Sequence, residues 1–485
     1  MIKKFSPIAL AVCLLASHAA FAQTAAPQEA RSTLADQQEV AVTIYNENLA
    51  LVKDQRKVQL QRGTQSLAFR DVSAQMRPET ALLRSLTAPG QLSVLEQNFD
   101  FDLLTPQKML EKYVGQTVTV VRTNPATGAE TSEVATVLSA NNGVVLQIGQ
   151  RIETGIPGRL VFGQVPPNLR DRPTLVMALD NRGNPQQSVE LSYLTGGLGW
   201  RADYVVEVNA ADNQLDMSGW VTLTNTSGAT YRNARLQLVA GDVNQVAPDR
   251  SDLERVKTMA APMMAKMADQ RMSEESLFEY HLYTLDRPTT LAEKQTKQVS
   301  LLSATGVPVR KELVLRGNDY YYQGAAGELG KKMKVGVFME FDNREAAHLG
   351  LPLPKGVVRV YKKDQAGNTQ FIGEDRIDHT PKNETVRLKL GEAFDVTADK
   401  KQTDFKKLTG TKKYESVFES AYELVLKNAK TEAVTVTVQE PVPGDWQILS
   451  ESQAHTKGSS NTAVWKVTVP AQGSTVLTYR AMVRY

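Results

Sequence analysis

Residues 40–51 read Val40-Ala41-Val42-Thr43-Ile44-Tyr45-Asn46-Glu47-Asn48-Leu49-Ala50-Leu51. Val40, Val42 and Ile44 occupy alternate positions, and Leu49, Leu51, Val58 and Leu60 follow the polar break Asn46-Glu47-Asn48, with Arg62-Gly63 as the next turn. Successive side chains of a strand point to opposite faces, so apolar residues at every second position mark a strand with one buried face; a helix would repeat them at three and four. The stretch predicts a pair of strands, and the same period recurs through most of the chain.

The clearest interruption is at residues 105–113. Thr105 suits an N-cap, Pro106 the first helical position, and Met109, Leu110 and Tyr113 fall at helical spacing. Short strands resume at 118–121, 134–138, 144–148 and 160–162, separated by Asn124-Pro125-Ala126-Thr127-Gly128 and Asn141-Asn142-Gly143. Such turns predict a small β-barrel or sheet at about 98–166, inside an N-terminal β domain at 39–167. A central β-sandwich region is expected over 168–398, with a Met-rich insertion at 248–276. A Lys-rich linker at 399–413 is expected to lead to a C-terminal immunoglobulin-like β-sandwich at 414–485. The fold class is therefore all-β: multidomain antiparallel β-sandwiches with little helix.

The first 22 residues have a different character. Lys3 and Lys4 precede an apolar run from Ile8 to Ala16 and the small-residue ending Ala20-Phe21-Ala22, the pattern of a signal peptide cleaved before Gln23. A Gln-rich leader follows at 23–38, and a periplasmic or secreted location is expected. Cys13 is the one cysteine of the 485 residues and lies in the removed segment. Thiolate catalysis, Cys-ligated zinc and disulfides are thereby excluded from the mature protein. Without Lys3 and Lys4, the 56 Lys and Arg nearly balance the 53 Asp and Glu, so no concentrated basic face for nucleic acid is expected. No later stretch supplies the roughly 20 apolar residues of a membrane-spanning helix. Residues 478–485 alternate and end on an aromatic, as outer-membrane barrel strands do, but the long polar connections elsewhere favour sandwiches.

Three stretches stand out: Leu191-Ser192-Tyr193-Leu194-Thr195-Gly196-Gly197-Leu198-Gly199-Trp200-Arg201-Ala202-Asp203-Tyr204, Gly219-Trp220-Val221-Thr222-Leu223-Thr224-Asn225-Thr226-Ser227-Gly228 and Leu236-Gln237-Leu238-Val239-Ala240-Gly241-Asp242. Further matching runs begin at Leu353, Phe371 and Pro443. The region from about 191 to 485 resembles a bacterial exported domain of unknown function shared with mucoidy-inhibitor-A-like proteins. That resemblance implies an exported, largely β protein and brings no agreed activity. The N-terminal part departs from it: the mucoidy-inhibitor type joins its halves by a long helical hairpin or coiled coil, whereas residues 98–166 read as strands without heptads.

Several groups could carry chemistry. Trp200 and Tyr204, at even spacing, share one strand face, and Trp220 offers an opposing anchor; core packing accounts for them, with an aromatic binding platform as the alternative use. Glu374, Asp375, Asp378 and His379 form the densest titratable set and are the catalytic candidates. A glycan hydrolase needs two carboxylates across one bond, however, and neighbours on a strand face opposite ways. Met259, Met263, Met264, Met267 and Met272 are candidate Cu(I) ligands, or a sticky helix that packs on a partner. Lys400, Lys401, Lys406 and Lys407 could bind an anionic envelope polymer or simply solvate a loop. His281, His348, His379 and His455 are dispersed, with no zinc-site spacing. These features predict an exported, non-catalytic cell-envelope binding or scaffolding protein, with an envelope protein or glycan as partner and no cofactor. The alternatives are a hydrolase or other enzyme acting on envelope glycan, and Met-rich periplasmic copper handling.

Overall fold

The computed structural model describes residues 29–46, 48–166, 169–241, 243–244, 272–410 and 413–485. Among the described residues strand is the dominant element, with one α-helix, Pro106–Lys112. The all-β expectation is met. Two compact units share the chain: one takes the residues up to Gln38 with Gln55–Val72 and Leu83–Glu190, the other Glu39–Asp54, Ser73–Leu82 and Leu191–Tyr485.

The first unit contains two sheets. One has the hydrogen-bonded order Ala30–Ser32, Gly63–Arg70, Thr174–Asn181 and Leu92–Asp100. The other runs Arg151–Thr154, Val145–Ile148, Glu130–Ser139, Thr117–Thr123 and Arg159–Val161. Thr105 caps the helix by accepting from the Lys108 amide at 3.1 Å, and Pro106 takes the first turn. Met109, Leu110 and Tyr113 then pack with Val118, Val120, Val137 and Leu146, giving this five-stranded sheet a core of its own.

The second unit carries a long sheet ordered Thr369–Ile377, Gly356–Lys363, Leu198–Val208, Gln214–Asn225, Gln295–Arg316, Glu328–Asp342, Thr385–Leu408, Val417–Asn428, Gly473–Arg484 and Asp445–Glu451. Val434–Pro441 joins Gln295–Arg316 in parallel and Thr462–Val469 antiparallel, so the late strands close a sandwich round Tyr422, Leu424, Val436, Trp465 and Tyr479. A further group pairs Met272–Leu277 with Tyr280–Leu285, then Tyr231–Ala240, then Gln37–Tyr45; the last contact is parallel, Arg235–Val239 against Ala41–Tyr45.

Two features differ from the sequence expectation, and the cause is the same. Residues 399–413 are expected to be a Lys-rich linker, yet Thr385–Leu408 is one strand of 24 residues. It pairs with Val417–Asn428 from Val396/Asn428 to Leu408/Val417, so residues 414–485 share its sheet. Val396, Ala398, Lys400 and Gln402 hold successive inward positions; the period of two persists, but polar residues occupy it. In Leu49–Gln59 the inward set is Ala50, Val52, Asp54, Arg56 and Val58, while Leu51 is only half-buried. Arg56 is accommodated because its guanidinium lies 3.8 Å from the Phe69 ring centroid and donates to the Ser32 carbonyl. Of the methionine group, Met259, Met263, Met264 and Met267 lie outside the described residues, and Met272 is buried at the start of its strand.

Candidate functional site

The site is built from a tyrosine on Leu198–Val208. Alternation turns Trp200, Ala202, Tyr204 and Val206 inward. Opposite Tyr204 stands Gly219, where a Cβ would fall 2.8 Å from Leu302 Cγ and 3.4 Å from Tyr204 Cδ1; the missing side chain leaves the ring its place. The Tyr204 hydroxyl donates to the Pro354 carbonyl at 2.8 Å, and the Tyr283 hydroxyl donates to the Pro352 carbonyl at 3.0 Å. Burial pushes both phenols above the ordinary tyrosine range, so both remain donors at neutral pH. Between the prolines, Leu353 exchanges two hydrogen bonds of 2.9 Å with Thr380. The segment Pro352-Leu353-Pro354 is thus fixed by four hydrogen bonds, although its prolines have no N–H to give.

Two histidines face this segment. His379 Nδ1 accepts from the Lys355 amide, and its Nε2 meets the Asn46 side-chain amide, both at 3.3 Å. His281 Nδ1 lies 2.8 Å from Glu274 Oε1. Gly241 ends the neighbouring strand at φ +132°, and the Tyr280 ring fills the space a Cβ would need, 2.4 Å from its Cδ1. These walls enclose a cleft of about 190 Å³, smaller than the roughly 300–1,000 Å³ of a drug-sized ligand site. It has room for one ring or one side chain. The lining offers two imidazoles, the exposed Glu279 carboxylate and apolar prolyl faces, with no serine or cysteine. Thr380, its single hydroxyl besides Tyr283, donates to the Asp378 carbonyl at 2.9 Å. The lining thus shows no hydroxyl or thiol nucleophile held by a base. Among the described residues no group of three or more His, Cys, Asp or Glu is placed to hold a metal ion.

The structure separates the acidic candidates. Glu374 pairs with Arg359 at 3.2 Å, while Asp375 accepts from the Lys389 amide at 2.6 Å. Asp378 is exposed, and of the four only His379 lines the cleft. Arg359 also bonds Asp203, a buried carboxylate that accepts from Thr222 at 2.7 Å, Arg359 at 3.0 Å and Arg201 at 3.1 Å. Burial pushes the Asp203 pKa up, but Thr222 and the two guanidiniums outweigh it and hold it below the usual carboxylate range. Trp200 and Tyr204 are buried, and Trp220, half-buried, pairs across from Asp203 on the other sheet face. Lys400 is buried; Lys401 pairs with Glu423 at 2.6 Å and Lys406 with Asp404 at 3.5 Å, while Lys407 is exposed. The lysines share no single binding face.

The Gly196-Gly197 bend has a structural role. Gly197 adopts φ +77°, its amide donates to Asn48 Oδ1 at 2.7 Å, and its carbonyl accepts from the Thr226 amide at 2.6 Å. Beneath it, Ser73 Oγ contacts Thr195 Oγ1 at 2.6 Å and donates to the Ser227 carbonyl.

A family profile described as a domain of unknown function, DUF4139, matches residues 189–485. The chain belongs to the DUF4139 family. No curated protein matches the chain. The DUF4139 region contains the whole cleft lining, and Asn46, which contacts His379, lies outside it. Two of the stretches picked out in the sequence, those beginning at Leu236 and Leu353, supply Gly241 and Pro354 to the lining. His281, Glu279 and Tyr283 were not singled out together by the sequence. His281 and Tyr283 do alternate on one strand, but nothing local connects them to His379; strand pairing alone brings the two histidines to one cleft.

Proposed function

We propose that this DUF4139 protein is an exported, non-catalytic binding or scaffolding protein of the cell envelope, related to the mucoidy-inhibitor-A-like proteins. On this reading its cleft receives a small protruding group of an envelope partner, a single sugar ring of a glycan being the best match. The observation that carries the proposal is the rigid rim: two buried tyrosine hydroxyls and a two-way backbone pair hold Pro352-Leu353-Pro354 against His379. A preorganised recess with hydrogen-bonding imidazoles and flat apolar faces suits recognition of a polyhydroxylated ring. The lining holds one carboxylate, Glu279, where glycoside hydrolysis commonly works with a pair.

Thermal unfolding of residues 23–485 against peptidoglycan fragments and soluble envelope oligosaccharides tests this. A ligand that prefers the folded state stabilises it by about 2.7 kcal/mol at a hundredfold excess over Kd. The expected outcome is a concentration-dependent rise in Tm with a glycan, lost in the His281→Ala, His379→Ala double variant. An equal rise in that variant would remove the cleft, no rise with any glycan would remove the glycan, and appearance of cleaved product would replace binding by hydrolysis. Export is tested by N-terminal sequencing of the protein from an envelope fraction: a start at Gln23 supports it, and retained Met1 in a cytoplasmic fraction opposes it.

A further inference from the structure

The C-terminal sandwich encloses a charge pair that the cleft does not use. On Thr385–Leu408 the inward series runs Val396, Ala398, Lys400, and on Val434–Pro441 it runs Val436, Val438, Glu440. Alternation therefore delivers an ammonium and a carboxylate into one apolar core. Their side chains are 0 % and 1 % exposed, and Lys400 Nζ lies 2.7 Å from Glu440 Oε1. That contact has ion-pair distance without hydrogen-bond alignment, and among the described residues Oε1 has no other hydrogen-bonding partner. Tyr321, Tyr422 and Tyr479 surround the nitrogen, with ring centroids 4.4, 5.1 and 5.6 Å away. Gly317 leaves room for the carboxylate: a Cβ there would fall 2.0 Å from Oε2.

Two phenols complete a circuit. Lys400 Nζ donates to Tyr479 Oη at 3.0 Å, Tyr479 Oη contacts Tyr322 Oη at 3.0 Å, and Tyr322 Oη donates to Glu440 Oε2 at 3.4 Å. The amine thus touches one carboxyl oxygen directly and reaches the other through two exchangeable hydroxyls.

We propose that Lys400 and Glu440 condense into an isopeptide bond. Proton transfer within the pair makes the amine and the carboxylic acid neutral, and Nζ then attacks Glu440 Cδ. The Nζ–Cδ bond forms and the bond from Cδ to Oε2 breaks. Of the three ammonium protons, one stays on the amide nitrogen and two leave with Oε2 as water, carried by way of Tyr479 and Tyr322. No oxidant or co-reactant is consumed. Enclosure favours this step twice: it strips the pair of the hydration that keeps both groups charged, and it holds the reacting groups in contact at a very high effective concentration. Burial also lowers the Lys400 pKa, opposed by the Glu440 charge, which raises the share of free amine.

The test is the intact mass of the purified chain after prolonged incubation. The expected mass is lower than the sequence requires by one water molecule, and proteolysis should release one branched peptide joining the segments that carry Lys400 and Glu440. Lys400→Met should restore the full mass for its sequence. Tyr322→Phe keeps the ring and interrupts the proton circuit, so its branched product should accumulate more slowly. A wild-type chain at full sequence mass, giving separate Lys400 and Glu440 peptides, would overturn the proposal whether or not either variant folds.

Discussion

Gly197→Ala isolates what the Gly-rich bend does. Gly197 lies at φ +77°, a left-handed conformation that costs an L-residue about 1–2 kcal/mol. An alanine Cβ would also stand 2.5 Å from Ser227 Cα and 2.7 Å from Ser227 N. Those are backbone atoms, so no rotamer change relieves the contact; residue 197 must move away from residue 227. That motion stretches the Thr226 amide bond to the Gly197 carbonyl and the Gly197 amide bond to Asn48 Oδ1, each worth about 1 kcal/mol. The expected total is about 3–4 kcal/mol, a large part of the roughly 5–15 kcal/mol that holds a domain folded. Gly199→Ala is the matched control, because its Cβ would meet nothing within 4 Å and its φ is not left-handed; its effect should stay within about 0.5 kcal/mol. Urea unfolding followed by tryptophan fluorescence reads the correct unit, since all four tryptophans, Trp200, Trp220, Trp446 and Trp465, belong to the second one. With slopes of about 1–3 kcal/mol per molar urea, the Gly197→Ala midpoint should fall by about 1–4 M. Equal midpoints for the two variants would refute the reasoning.

Tyr204→Phe removes the hydroxyl on the Pro354 carbonyl and leaves that carbonyl without its donor, so it should cost about 1–2 kcal/mol in the same urea assay and weaken any ligand stabilisation at the cleft; unchanged values on both counts would show that the rim is held otherwise. Asp203 contributes to pH dependence because its folded-state pKa lies below the usual carboxylate range. Its stabilisation is fully present above the unfolded value near about 3.9 and is lost as pH falls through the folded value. Asp203→Asn should therefore flatten the decline in urea midpoint as pH falls below about 4; parallel curves for the two proteins would count against the Arg201–Thr222–Arg359 cradle.

Local signals were enough for the individual elements. Thr105 and Pro106 marked the helix start because capping and a proline's fixed φ act over a few residues. Val40, Val42 and Ile44 marked a strand because their period is imposed by the backbone itself. The sequence misled where inward positions were polar. Lys400 and Gln402 on one strand, Asp54 and Arg56 on another, break the apolar alternation although their side chains are buried, and only distant partners such as Glu440 and Phe69 explain why they can be. The cleft was illegible for a related reason. His379 was visible within a dense titratable run, but its neighbours Glu374 and Asp375 turn to other partners. Its actual companions, His281 and Pro352-Leu353-Pro354, come from separate strands and connections.

The parallel contact of Ala41–Tyr45 with Arg235–Val239 sets a schedule. Thr43 meets Gln237, 194 residues further along the chain. During synthesis this early strand emerges long before its hydrogen-bonding neighbour exists, and closing so large a loop precedes any reward from the contact. The first unit has all its residues by Glu190, whereas the second still needs the final strand at Gly473–Arg484. Assembly should therefore be sequential, with the early strand bearing Val40, Val42 and Ile44 in need of protection until Tyr231–Ala240 arrives.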